Sequence, residues 1–178
     1  MPYKKIISSG AVKAELDGAE FFWNIRDRVG YGYRNDRNDV LLVQFLLNRA
    51  IKFWNDKLPS ESVGLLEPDG LFGGQTWNRI KWFQAQTKDS ESMADGMISP
   101  VDGRQLLSPK SKQIYTMYTL NKMYRHIHRL YWDDLSKDPA CPPALRVHFM
   151  MTLPTGIGQT GHYGGGMGAG KVSMHDLY

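Results

Sequence analysis

Apolar residues come in blocks whose spacing changes along the chain. From Asp39 to Trp54, Val40, Val43, Leu47, Ile51 and Trp54 recur three or four residues apart, which predicts a helix. Leu42, Phe45, Leu46 and Phe53 form a second apolar face, so this helix is expected to be covered on two sides. Asn35 to Asn38 offers caps for its start. A second helix is predicted from about Gly74 to Thr87, with Thr76, Ile80 and Phe83 facing inward. From Lys110 to about Lys137, Ile114, Met117, Leu120, Met123, Ile127, Leu130 and Leu135 again repeat at helical spacing. Ser108-Pro109 supplies a cap and a first-position proline, and Asp138-Pro139 a stop, so one long helix is expected here. Arg146 to Leu153 alternates as a short strand would.

Between these blocks lie turn signals. Asp69-Gly70-Leu71-Phe72-Gly73-Gly74 is a tight turn in which the Asp can close an Asx turn, the glycines relax the backbone, and Phe72 is expected to plug the core. Further Asp-Gly turns follow at Asp95-Gly96 and Asp102-Gly103. Residues 1–34 mix short apolar stretches with the exit Gly30-Tyr31-Gly32-Tyr33 and read as an arm or a short helix. Thr155 to Gly170 is glycine-rich with little to bury and is expected to be a mobile tail.

Size and composition narrow the function classes. The chain has 178 residues, room for one ordinary domain or a small one with extensions, and not for two catalytic domains. With 42% apolar and 22% charged residues it should bury a real core. The net charge of +4 is far from a nucleic-acid-binding signature, so no nucleic-acid partner is expected. No apolar run reaches the about 18 residues of a membrane span, and the first ten residues lack a secretory core, so synthesis in the cytoplasm without a signal peptide is expected.

Catalytic signals are few. Cys141 is the single cysteine, set in a stiff proline-flanked turn rather than beside a base, and reads as inert. His126 and His128 are two apart on an expected helix and so diverge, which makes them poor joint metal ligands. Asp133 and Asp134 diverge for the same reason, and the glycines from Gly164 to Lys171 lack phosphate-loop spacing. No catalytic residue, metal or cofactor is therefore assigned.

The series Gly30-Tyr31-Gly32-Tyr33-Arg34-Asn35, Asp39-Val40-Leu41-Leu42-Val43-Gln44-Phe45-Leu46-Leu47-Asn48, Asp69-Gly70-Leu71-Phe72-Gly73-Gly74-Gln75-Thr76 and Ile80-Lys81-Trp82-Phe83-Gln84 resembles the bacterial peptidoglycan-binding-domain-like family. Asp95-Gly96-Met97-Ile98-Ser99-Pro100 is similar to the turn that closes one subgroup of that family. The chain departs from the pattern at Gly74, where proline is common, and in the long Lys52 to Pro68 connection. The resemblance implies a mainly α fold: a three-helix module over residues 30–107, preceded by an arm (1–29). A long amphipathic helix (108–138) and a Pro/Gly-rich extension (139–178) would follow.

It also implies peptidoglycan binding, and, since no catalytic constellation is recognised, the expectation is a non-catalytic protein that brings itself or a partner to the wall. Sugar faces stack on Trp or Tyr, while amides and carboxylates pair with Gln, Asn and Arg. Asn48, Asp69, Gln75, Trp77, Asn78 and Arg79 form the expected rim, with Asn48 and Gln44 alternatively bonding loop backbone. Such a protein reaches the periplasm or the exterior by a signal-independent route, through phage lysis or a secretion machine. The other reading is a docking component of a secretion or phage-tail assembly. Its interface candidates are Trp82, which points away from the module's core, and Tyr124, Tyr131 and Trp132 of the long helix, together with the tail. Burial of Trp82 under the long helix or the N-terminal arm is the plainer expectation for that side chain. A wall hydrolase with an unrecognised site is the third reading.

Overall fold

The computed structural model describes residues 1–87 and 94–152. Its element order is β1 (Tyr3–Ile6), α1 (Gly10–Glu15), β2 (Phe21–Asn24), α2 (Arg37–Lys57), α3 (Gly74–Thr87), α4 (Thr116–Ile127) and α5 (Pro143–Thr152). Helices dominate, and β1 and β2 pair antiparallel with Tyr3 opposite Asn24. The expected tail from Thr155 lies outside the described residues.

Helix α2 is the spine. Asp36 caps it by accepting the N–H groups of Asn38 and Asp39, and every residue from Asp39 to Leu47 is buried. It touches α3, α4 and α5, which explains why two apolar faces were needed. The core runs without a break from Ile7 to Phe149, so the residues before 30 and after 107 share it with the middle of the chain. The N-terminal stretch, expected as an arm or a short helix, holds the short helix α1 between the two paired strands. Asn121 of α4 accepts the Trp23 N–H (2.8 Å) and donates to the Trp23 carbonyl (2.8 Å), completing the free edge of β2.

Two expectations are corrected. The long helix over 108–138 is only α4, because Lys112 adopts positive φ (57°) in a turn where Ser108 N–H donates to Gln113 O (2.8 Å). At the other end His128 leaves helical angles, and the chain folds back through two short 3-10 turns. That reversal buries Trp132, which stacks on Phe21 (5.3 Å) and accepts the Trp23 indole N–H at its carbonyl (2.9 Å). A straight helix would have carried Trp132 and Leu135 away from the core. The strand expected at Arg146 to Leu153 is helix α5: Pro143 stands at its first position, and Leu145, His148 and Phe149 are buried at helical spacing.

A repeated clasp organises the helices. Gln44 Nε2 donates to Asp69 Oδ1 (3.0 Å), Leu71 O (3.2 Å) and Thr76 Oγ1 (3.2 Å), while its Oε1 accepts the Gly70 N–H (2.9 Å). Gln84 does the same one helix later, donating to Asp95 Oδ1 (2.9 Å), Met97 O (3.0 Å) and Thr116 Oγ1 (3.1 Å) and accepting the Gly96 N–H (2.9 Å). Both aspartates close Asx turns, onto Leu71 N–H and Met97 N–H. Gln44 and Gln84 stand forty residues apart, as do Thr76 and Thr116, and Val40, Ile80 and Leu120 occupy equivalent core positions. At the next step Tyr124 replaces Gln: its hydroxyl donates to Asp138 Oδ2 (2.8 Å), and Asp138 Oδ1 accepts the Ala140 N–H (2.9 Å).

Candidate functional site

The first clasp opens to solvent. Asp69 is held in its charged form, its carboxyl shifted below the usual value of 3.8 by the Leu71 N–H and then by Gln44. Gly70 takes positive φ (76°), and a Cβ there would lie 2.8 Å from the Arg37 carbonyl oxygen, so this turn packs directly on the start of α2. Above it lies a pocket of about 330 Å³ lined by Gln44, Leu66, Glu67, Asp69 and the stretch from Leu71 to Thr76. Beside the pocket three rings meet: Tyr31 contacts Phe72 edge-on (5.3 Å) and Trp77 at a tilt (5.5 Å). Lys81 sits over the Trp77 ring at 4.6 Å. Tyr31 is 61% exposed, whereas Phe72 and Trp77 are half-buried. Phe72 thus plugs the core only in part: it packs against the core, lines the pocket and meets Tyr31.

The six rim residues divide by what they already hold. Asn48 brackets Leu66, donating to its carbonyl (2.8 Å) and accepting its N–H (2.8 Å), so this side chain fastens the long loop and is not available to a ligand. Arg79 is similarly engaged, Nε donating to Gly64 O (2.8 Å). Asp69 serves the turn. Trp77 has one side against the second clasp, where a Cβ on Gly96 would overlap its indole. Gln75 and Asn78 are exposed, and their side chains bond no described residue. These two, with the rings, are what the surface offers to a ligand: flat apolar faces beside amide donors and acceptors.

Two of the four interface candidates are buried and two half-buried. Tyr124 lies on the face of α4 that packs on Phe45 (5.6 Å), and the fold-back after His128 turns Trp132 inward, so both belong to the core. Trp82 is half-buried against the core: α2 runs on to Lys57, and its Trp54 meets Trp82 edge-on (5.3 Å, 83°). Tyr131 is half-buried. Cys141 is buried and its thiol pushed up to about 12 by burial. Among the described residues no group of three or more His, Cys, Asp and Glu is placed to hold a metal, and no helix is long and apolar enough to cross a membrane.

Sequence reasoning overlooked Tyr31 as a surface ring. The signal was present: glycines on both sides of Tyr31, Gly30 and Gly32, mark a turn, and turns lie at the surface. It also passed over the clasp, which an offset of forty residues would have exposed through Gln44 with Gln84 and Thr76 with Thr116. No protein-family model matches the chain, and no curated protein or solved structure is detectably similar to it.

Proposed function

We propose that the protein is a non-catalytic peptidoglycan-binding module, acting at the bacterial wall in the periplasm or outside the cell. The observation that carries this reading is the cluster of Tyr31, Phe72 and Trp77 beside the unengaged amides of Gln75 and Asn78. A sugar ring presents an apolar C–H face to an aromatic and hydroxyls to the groups around it, and a stem peptide presents amides and carboxylates. The surface supplies partners for both: rings for the sugar, Gln75 and Asn78 for amides, and Lys81 for a carboxylate. The motif resemblance over residues 30–107 supports the same ligand class.

The surface is shallow and open, so a single module should bind weakly and work by concentrating an attached or associated partner. The test is co-sedimentation with purified peptidoglycan. Wild type is expected in the pellet, with Tyr31→Ala and the Gln75→Ala/Asn78→Ala pair largely in the supernatant at unchanged melting temperature. Wild type that stays in solution at every peptidoglycan concentration would sink the proposal.

A further inference from the structure

A second surface lies at the other end of α3. Thr87, the last residue of that helix, borders a groove of about 660 Å³ between the C-terminal part of α2 and the outer face of α4. Its apolar lining is Phe53, Trp54 and Met123, all partly exposed. Its polar wall carries more cations than carboxylates among the described residues. Among the described residues Lys122, Arg125 and Arg129 line it as cations, with the imidazole of His126 beside them, against the carboxylate of Asp17. Lys122 is paired with Glu15 (3.0 Å), and Arg125 donates to the carbonyls of Leu16 (2.8 Å) and Asp17 (2.9 Å). Those carbonyls carry no net charge, so the Arg125 cation has no neutralising carboxylate among its bonded partners, and its buried Nε has no acceptor among the described residues. His126 and Arg129 are exposed, and their side chains bond no described residue.

An apolar floor walled by cations selects its occupant by charge. We propose that this groove docks an acidic segment of a protein partner. Its carboxylates would meet Arg125 and Arg129, and an aliphatic or aromatic side chain would fill the space over Phe53, Trp54 and Met123. Burying that anchor supplies affinity, and the cations set its orientation and exclude basic segments. Helix α3 has 14 residues and is about 20 Å long, so this surface is separate from the ring cluster at the helix start and both can be engaged together. The protein would then bridge a wall ligand and a protein partner.

The test uses the full chain and a fluorescein-labelled peptide of about twelve residues in which Glu and Asp flank a Leu-Leu-Phe core, read by anisotropy. Controls replace the acids by Lys or the core by Ser. The acidic apolar peptide is expected to bind at least about tenfold more tightly than either control, and to weaken as salt rises from about 0.05 to about 0.3 M. The His126→Glu/Arg129→Glu variant, which removes no observed contact, is expected to bind about tenfold more weakly at unchanged melting temperature. Equal binding of the Lys or Ser control, or undiminished binding by the variant, would overturn the proposal. Equal binding of a single-stranded oligonucleotide of the same charge would overturn it too. In the same variant, unchanged sedimentation with peptidoglycan supports two separate sites, and lost sedimentation would reassign the groove to the wall ligand and overturn the assignment to a protein.

Discussion

The clasps at Gln44 and Gln84 use the same donors and the same acceptors, with distances that agree within about 0.2 Å by pairwise comparison, yet they end in different surroundings. Around the first, the chain leaves a pocket, three rings and two free amides at the surface. Around the second, the Trp77 indole covers Gly96, and Ile114 and Tyr115 close in, so only about 70 Å³ stays open. The same hydrogen-bond device thus displays a surface in one place and joins helices in the other. What distinguishes them is the next segment of chain, since Trp77 lies on the helix opened by the first turn and reaches over to the second.

The sharpest separation is expected from the two clasp glycines. Gly70→Ala forces an L-residue into positive φ and sets its Cβ against the Arg37 backbone carbonyl, which cannot move without shifting α2; a loss of about 4 kcal/mol is expected in chemical denaturation. Gly96→Ala meets an indole that can swing aside, so its loss should be smaller, about 2–3 kcal/mol. In a Trp77→Ala background the cost of Gly96→Ala should fall to about 1 kcal/mol, that of the backbone angle alone; full additivity in this cycle would break the coupling of the two regions.

Next in size, Gln44→Ala and Gln84→Ala should each cost about 2–3 kcal/mol, because each strands a buried glycine N–H and a threonine hydroxyl. The comparison predicts near-equal losses. A difference above about 2 kcal/mol would show that the matched geometry hides unequal energetics.

These contrasts bear on what the chain reveals before folding. Helices α2 and α3 were legible because Val40, Val43, Leu47 and Ile80, Phe83 repeat at the period of a helix, and Asp69-Gly70 because its residues can hardly build anything else. The region after Asp102 was misread where local pattern and tertiary demand diverge. The apolar repeat from Ile114 to Leu135 continues across the break at His128, since Trp132 and Leu135 must be apolar to reach the core by another path, while Leu130 of the same repeat is 91% exposed. In α5, four apolar residues in a short window fit period two as well as a helical face. Asn48 and Arg79 have the right chemistry for a ligand, but their commitment to the loop before Asp69 depends on contacts across the fold.

A smaller test uses pH. His128 is pushed below 6.5 by burial and then by Arg49, whose Nη2 lies 3.0 Å from His128 Nδ1. The unfolded chain therefore binds the proton more readily, so stability should be full above pH 6.5 and decline as the pH falls from there towards the lower folded value. Denaturation of His128→Gln across pH 5–8 should show a flatter profile than wild type, since Gln does not titrate. Asp69 acts at lower pH: its stabilisation is present above 3.8 and is lost as the pH drops through its lower folded value, and Asp69→Asn should remove that acid limb.

The most direct measurement of the central claim is a titration of the isotope-labelled protein with a soluble disaccharide–peptide fragment of peptidoglycan, followed by NMR. The account predicts that shifts concentrate at Tyr31, at Leu71 to Asn78 and at the Trp77 indole N–H, while Gln84 and the Asp95-Gly96 turn stay nearly still. An absence of shifts at saturating ligand, or shifts confined to the closed second clasp or to the groove at Arg129, would contradict it.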